Sequence, residues 1–197
     1  MKVDLERLRS SLLLTPEEAE FIAEDGAVDH SLTPAAVLFP IVLREHEQTV
    51  LLTQRTAHLR DHAGQISFPG GRVEPDDRSP VDTALRETEE EVGLFRDRID
   101  VLGYLPEYRT GTGFRVTPVV ALVQPPFELA PDPFEVAEVF EVPLGFLLNP
   151  ENHQRHSIHH RGAMRNYFAM PYGDYFIWGA TAGMIRSLSD RLGLLPA

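Results

Sequence analysis

Glu87, Glu90 and Glu91 stand at positions i, i+3 and i+4 of the run Arg86-Glu87-Thr88-Glu89-Glu90-Glu91-Val92-Gly93-Leu94. On an α-helix they fall within an arc of roughly 100°. Three like charges so placed repel one another unless a cation neutralises them. Hard carboxylate oxygens suit Mg²⁺ or Mn²⁺, and Mg²⁺ is commonly held by one or two carboxylates together with substrate phosphates. The same spacing also describes a solvated acidic face.

The flanking residues say what must hold these carboxylates. Ser79 can N-cap a helix, Pro80 suits its first position, and Asp82 can stand in for the acidic member of a capping box. Gly93 can close the far end. Val81, Ala84, Leu85, Thr88 and Val92 gather on one face, which is the face to be buried. Asp82, Arg86 and Glu89 share a third face, apart from the glutamate cluster. Phe68-Pro69-Gly70-Gly71 precedes the helix, and the glycine pair allows a tight turn and close backbone approach by a ligand.

Further out, Leu5, Leu8 and Leu12 suggest a short amphipathic helix, and Thr15-Pro16-Glu17-Glu18 reads as a second helix start. Residues 35–44 and 49–54 read as strands joined by a polar turn. Residues 99–105, 115–123 and 136–142 are also strand-like, and the proline-rich stretch 124–133 is a loop. Pro143 opens a short helix. Residues 166–171 and 174–178 read as a hairpin across Tyr172-Gly173, and 181–192 as a closing helix. Strands interleaved with helices predict an α/β or α+β sandwich.

At 197 residues the chain is most simply one domain with a full-sized core. Its 43% hydrophobic and 24% charged content is ordinary for a globular protein. No apolar run approaches the ~20 residues of a membrane span, and the start, MKVDLERLRS, lacks a signal-peptide core. There is no Cys, hence no disulfide, thiolate metal site or Cys nucleophile. A cytoplasmic location fits. The net charge of −12 argues against non-specific binding to nucleic acid or anionic membrane. It is awkward for a polyanionic substrate, for which a metal and a local Arg cluster must reverse the field at the site. Every basic residue but Lys2 is Arg, which suits bidentate phosphate contacts; genome composition would give the same bias. The oligomeric state is not legible.

Two stretches carry a resemblance. The segment Gly71 to Leu94 resembles the Nudix box, G-x5-E-x7-R-E-U-x-E-E-x-G-U with U apolar. Gly71, Arg86, Glu87, Glu90, Glu91, Gly93 and Leu94 match. Asp77 stands six places after Gly71 where the pattern has Glu, eight residues rather than seven separate it from Arg86, and Thr88 replaces an apolar residue. The second stretch, Leu51 to Gly71, is similar to LLTxR[SA]xxxRxxxGxxxFPGG, the signature of the coenzyme A pyrophosphatase branch of the Nudix hydrolases. Thr56 alone departs from it. The stretches Gly113–Val120, Glu135–Leu144 and Ile177–Ala182 look like the same branch. The resemblance covers roughly residues 34 to 192, with 1–33 as an N-terminal helical extension and 34–197 as the Nudix domain.

The resemblance implies the Nudix α-β-α sandwich with a mixed central sheet. It also implies hydrolysis of the P–O–P bridge of coenzyme A to 3′,5′-ADP and 4′-phosphopantetheine. Mg²⁺ or Mn²⁺ held by Glu87, Glu90 and Glu91 would neutralise the phosphates and acidify a water. Glu87 and Glu91, one turn apart, are the first choice as direct ligands; Glu90 can ligate, bridge through water or act as base. Arg86 would orient the glutamates or the loop, or form only a surface salt bridge. Glu135 and Glu138 follow the proline-rich loop, and Glu135 is the candidate base from there, with strand-edge solubility the plainer reading of Glu138. Arg55, Arg60 and His62 fall within the second signature; Arg55 and Arg60 are substrate-binding candidates, with Gly70 and Gly71. Arg60 is the candidate for the 3′-phosphate. His153, His156, His159 and His160 lack paired acidic ligands and read as loop or strand edge rather than zinc site. Trp178 and Tyr175 read as core, though an aromatic could stack on adenine. Preference for ADP-ribose or an oxidised nucleotide triphosphate, or a non-catalytic sensing role, are the alternatives; intact Glu87, Glu90 and Glu91 argue against sensing.

Overall fold

The protein is described from a computed structural model covering residues 2–16, 21–25, 32–58, 64–160 and 163–196. In chain order the elements are α1 (Leu5–Ser11), β1 (Phe21–Ala23), β2 (Thr33–Leu43), β3 (Gln48–Arg55), β4 (Ile66–Ser67) and β5 (Gly70–Arg72). Then come α2 (Pro80–Val92), β6 (Ile99–Tyr104), β7 (Glu107–Arg109), β8 (Phe114–Val123), β9 (Val136–Pro143) and α3 (Leu144–Leu148). β10 (Gln154–His160), β11 (Ala163–Tyr172), β12 (Tyr175–Trp178) and α4 (Gly179–Arg191) complete the chain.

Alternation along β2 and β8 dictates the layers. Ala35, Phe39 and Ile41 of β2, with Val116, Val120 and Leu122 of β8, enter one core, which also takes Leu8 and Leu12, Leu144 and Leu147 of α3, and Met184, Ile185 and Leu188 of α4. The intervening residues Ala36, Leu38, Val119 and Ala121 face Ala84 of α2. Val42, Leu51 and Val123 meet Val92 and Leu94. Side chains of successive strand residues point to opposite faces, so a strand apolar at nearly every position is covered on both. The result is a mixed sheet sandwiched between α2 on one face and α1, α3 and α4 on the other. Fully burying a side chain such as Phe39 contributes ~1.5–3 kcal/mol.

The long parallel pairing of β2 with β8 runs from Thr33↔Phe114 to Val42↔Val123. On its other edge β2 meets β3 antiparallel only at Ile41–Leu43. Beyond that the two strands separate. The wedge is filled by β5, paired with Ala35–Val37 of β2, and by β4, paired with Thr53 and Gln54 of β3. This splay brings the Phe68–Gly71 turn into the sheet directly beside α2. β9 flanks the other edge of β3, with a register shift at Gln54/Arg55. The strands expected at 35–44, 49–54, 99–105, 115–123 and 136–142 are present within one or two residues. The expected hairpin is β11–β12, with β11 starting three residues earlier than expected.

α1 is capped by the Asp4 carboxylate, which accepts the Arg7 N–H, and buries Leu8 completely. The helix start read at Thr15-Pro16-Glu17-Glu18 runs from residue 17 into residues outside those described. β1, not foreseen, pairs parallel with β7. Trp178 is a correction: it is 37% exposed and edge-on to Tyr167 rather than core. Tyr175 is half-buried, stacked on Phe140 at 3.7 Å.

Candidate active site

α2 is fixed at both ends. Ser79 is extended at φ −159°, and its Oγ accepts the Asp82 N–H at 3.2 Å. The capping box is not closed as expected: the Asp82 carboxylate takes the Ser79 hydroxyl at 3.2 Å. Asp is one methylene shorter than the Glu of the usual box. Gly93 ends the helix at φ 69°, a conformation cheap only for glycine. Thr88, polar on the buried face, donates its hydroxyl to the Ala84 carbonyl at 2.6 Å, so its burial leaves no unsatisfied group.

The glycine pair meets the helix at closest range. The Gly70 N–H donates to Glu91 Oε2 at 3.1 Å. At φ 153°, a Cβ on Gly70 would lie 2.4 Å from the Ala36 carbonyl oxygen and 2.6 Å from Val37 Cα. A Cβ on Gly71 would lie 2.4 Å from the Glu87 carboxyl carbon. A side chain on Gly71 would therefore displace the Glu87 carboxylate, and one on Gly70 would run into the backbone of β2.

Arg86 corrects the face assignment. Its Cα direction is that of Asp82 and Glu89, but the side chain is long enough to return to the cluster. Nη1 donates to Glu87 Oε1 at 3.0 Å and to Glu90 Oε2 at 3.2 Å. The rest of the guanidinium clamps the loop. Nε and Nη2 reach both oxygens of Asp77 at 3.1 and 2.9 Å, and Nη2 also reaches the Arg72 carbonyl at 3.1 Å. Asp77, 6% exposed, also accepts the Thr83 hydroxyl and the Glu74 N–H. This bidentate pair holds the Asp77 carboxyl well below the usual carboxylate range. The residue that broke the box spacing is thus the anchor of the box arginine. Sequence spacing points instead to Asp82, four residues before Arg86, so nothing local marks Asp77 as the partner.

Arg55, at the end of β3, extends to the same place. Its Nη1 lies 3.4 Å from Glu91 Oε1 and its Nη2 3.9 Å from Glu135 Oε2. Its Nε is buried with no partner. Glu135, 44% exposed, is tied by its backbone to β3, since the Thr56 N–H donates to its carbonyl at 2.9 Å. It is close enough to raise both Glu87 and Glu91 electrostatically. Glu87, Glu90, Glu91, Glu135, Arg55, Arg86, Gly70 and Gly71 therefore form one site.

Burial pushes the Glu91 carboxyl up to about 8, against the opposing effects of the Gly70 N–H and Arg55, and burial also raises Glu87. Among the described residues no three Asp, Glu, His or Cys side chains converge as a cation cage. The oxygens of Glu87 and Glu90 are turned to Arg86, and those of Glu91 to Gly70 and Arg55. The residues nonetheless fit a hard divalent cation. The donors are all carboxylate oxygens, and burial raises the most buried of them, Glu91, despite the Gly70 N–H and Arg55, so an added cation would be favourable there.

Arg60 and His62 lie outside the described residues. Glu138 accepts the Tyr175 hydroxyl at 2.7 Å, away from the cluster. His153 is bonded to the Leu147 carbonyl, and His156 to Gln154 within β10.

The NUDIX domain family matches residues 32–165. A protein of Escherichia coli (strain K12) described as an uncharacterized Nudix hydrolase, NudL, is 44% identical over 162 residues, 82% of this chain and 84% of the relative. RenU, a Nudix hydrolase from M. smegmatis, has a TM-score of 0.50 at 25% identity, covering 63% of this chain and 78% of its own. A MutT/nudix family protein from Enterococcus faecalis shares the fold alone, with a TM-score of 0.52 at 18% identity over 84% of this chain and 64% of its own.

Proposed function

This chain belongs to the Nudix family and is a pyrophosphohydrolase, and we propose that the bond it hydrolyses is the diphosphate bridge of coenzyme A. The products are 3′,5′-ADP and 4′-phosphopantetheine. One observation supports this reading: the two described ends of the stretch Leu51 to Gly71, which resembles the coenzyme A pyrophosphatase signature, meet the carboxylate cluster. Its Arg55 faces Glu91 and Glu135, and its Gly70 and Gly71 meet Glu91 and Glu87.

Glu87, Glu91 and Glu90 would hold a divalent cation, Mg²⁺ or Mn²⁺, which would supply charge neutralisation at the diphosphate and a more acidic water. The chain's own groups do the rest. Gly70 and Gly71 let the phosphates approach bare backbone. Arg86, held by Asp77, positions Glu87 and Glu90. Arg55 contacts the diphosphate, and Arg60 the 3′-phosphate. Water attacks a phosphorus, the P–O bridge bond breaks, and the water's proton passes to a carboxylate. Glu135 is the favoured base, because it is partly exposed beside the cluster while Glu90 is engaged by Arg86.

The test is incubation with Mg²⁺ and a panel of coenzyme A, ADP-ribose and nucleoside triphosphates, with products identified by mass. Appearance of 3′,5′-ADP and 4′-phosphopantetheine supports the reading. Intact coenzyme A beside consumed ADP-ribose overturns the substrate and leaves the family assignment standing.

A further inference from the structure

At the rim of the carboxylate cluster stand two aromatic rings that the chemistry above does not use. Phe134 is 64% exposed, yet its backbone is firmly held. The Thr56 hydroxyl donates to its carbonyl at 2.8 Å, and its N–H donates to the Asp132 carboxylate at 2.9 Å. The same loop is stapled to the end of α2, where the Asp132 N–H donates to the Glu91 carbonyl at 3.0 Å and the Ala130 N–H to that of Val92 at 2.9 Å. The His58 ring lies 4.8 Å from the Phe134 ring, tilted by 59°. Phe134 immediately precedes Glu135, and His58 follows Arg55 by three residues. An exposed apolar ring on pinned backbone, adjoining the residues that meet the diphosphate, is placed to cover a flat apolar group.

We propose that Phe134, with His58 beside it, is the platform on which the purine base of the substrate stacks. The inference rests on the reading of the cluster as a nucleotide pyrophosphohydrolase site and assigns its base-binding residues. Of the two halves of coenzyme A, only the nucleotide half has a π face; the pantetheine arm is an aliphatic amide chain and gains little from a ring. A base stacked on an aromatic side chain is held without reading its edges, so the platform accepts purines generally. Phe134 adjoins Glu135, whose carboxylate lies 3.9 Å from Arg55, so the platform borders the groups proposed to meet the diphosphate.

The measurement is calorimetric binding of three probes in Mg²⁺: AMP, 3′,5′-ADP and 4′-phosphopantetheine. Wild type is compared with Phe134→Ala, Phe134→Tyr and Phe95→Ala. Phe95 is 60% exposed and lies beyond α2, outside the site, so its variant controls for loss of a surface ring. Phe134→Ala is expected to weaken both adenine nucleotides about tenfold while 4′-phosphopantetheine is unchanged. Phe134→Tyr restores wild-type affinity, and Phe95→Ala has no effect. Unchanged nucleotide binding in Phe134→Ala, or equal weakening of all three probes, overturns the platform. The outcome is independent of which substrate is hydrolysed: if coenzyme A is not cleaved, AMP still reports on the platform while the substrate reading fails alone.

Discussion

Glu91 is 5% exposed, with its carboxyl pushed up by burial, so ionising it costs folding free energy that a hydrophobic or neutral side chain would not. That condition fits the proposed role of Glu91 as a cation ligand. Replacement by Gln keeps the shape and removes the desolvated charge. Glu91→Gln is therefore expected to melt no lower than wild type in the absence of cation. It is also expected to lose several kcal/mol of transition-state stabilisation, on the order of 10²-fold or more in kcat. Glu89→Gln, next to the cluster in sequence but paired with Arg96 on another face, should leave kcat within about twofold. Equal losses in the two variants would point to helix damage. The two glycines give a second contrast. In Gly71→Ala the new methyl meets the mobile end of Glu87, so the fold tolerates it and the site does not: kcat falls while Tm holds. In Gly70→Ala the methyl meets the backbone of Ala36 and Val37, which cannot yield, and stability falls by about 1–3 kcal/mol or more. Thermal melts and kinetics on both variants check this; a Gly71→Ala enzyme with full activity would contradict the described closeness of loop and carboxylate.

The loop between β5 and α2 owes its form to Asp77 and Arg86. The folded carboxyl of Asp77 is depressed by the guanidinium, so the stability it brings is fully present above the unfolded value of ~3.9 and is lost as pH falls below it. Asp77→Asn is expected to cost about 2 kcal/mol at neutral pH, the scale of charge-assisted hydrogen bonds. That difference from wild type should narrow below about pH 4, in denaturant unfolding followed across pH. A pH-independent difference would mean that Asp77 acts by shape alone. The same variant should lower kcat, because Arg86 then holds Glu87 and Glu90 less firmly. The splay of β2 from β3 is the other device at this level. It opens the wedge that receives β4 and β5 and so carries Gly70 and Gly71 to the helix.

At the scale of the molecule, the parts that follow a short period were legible and the parts that depend on tertiary reach were not. α2 announced itself through Ser79, Pro80 and Gly93, and its buried face through Ala84, Thr88 and Val92. β2 and β8 announced themselves by dense apolar and β-branched runs. Arg86 starts from another face of α2 yet its guanidinium reaches Glu87 and Glu90, because helical angle fixes where a Cβ points and not where a long side chain ends. Asp77 read as a defect because spacing along a loop does not report distance across it. β1 is only three residues long, and its partner β7 lies 84 residues further on, so no local pattern marks it. Trp178 looked like core by residue type, yet it sits where β12 ends and α4 begins and is 37% exposed. Among the described residues no helix is long and apolar enough to cross a membrane.

The proposed substrate presents an anionic diphosphate bridge to a chain of net charge −12, so arginines and a cation would have to draw it in. The most direct test is a steady-state comparison of coenzyme A with ADP-ribose at equal Mg²⁺. The account predicts a kcat/KM for coenzyme A at least about tenfold higher, a preference of ~1.4 kcal/mol or more in transition-state binding. A kcat/KM for ADP-ribose equal to or above that for coenzyme A would contradict it.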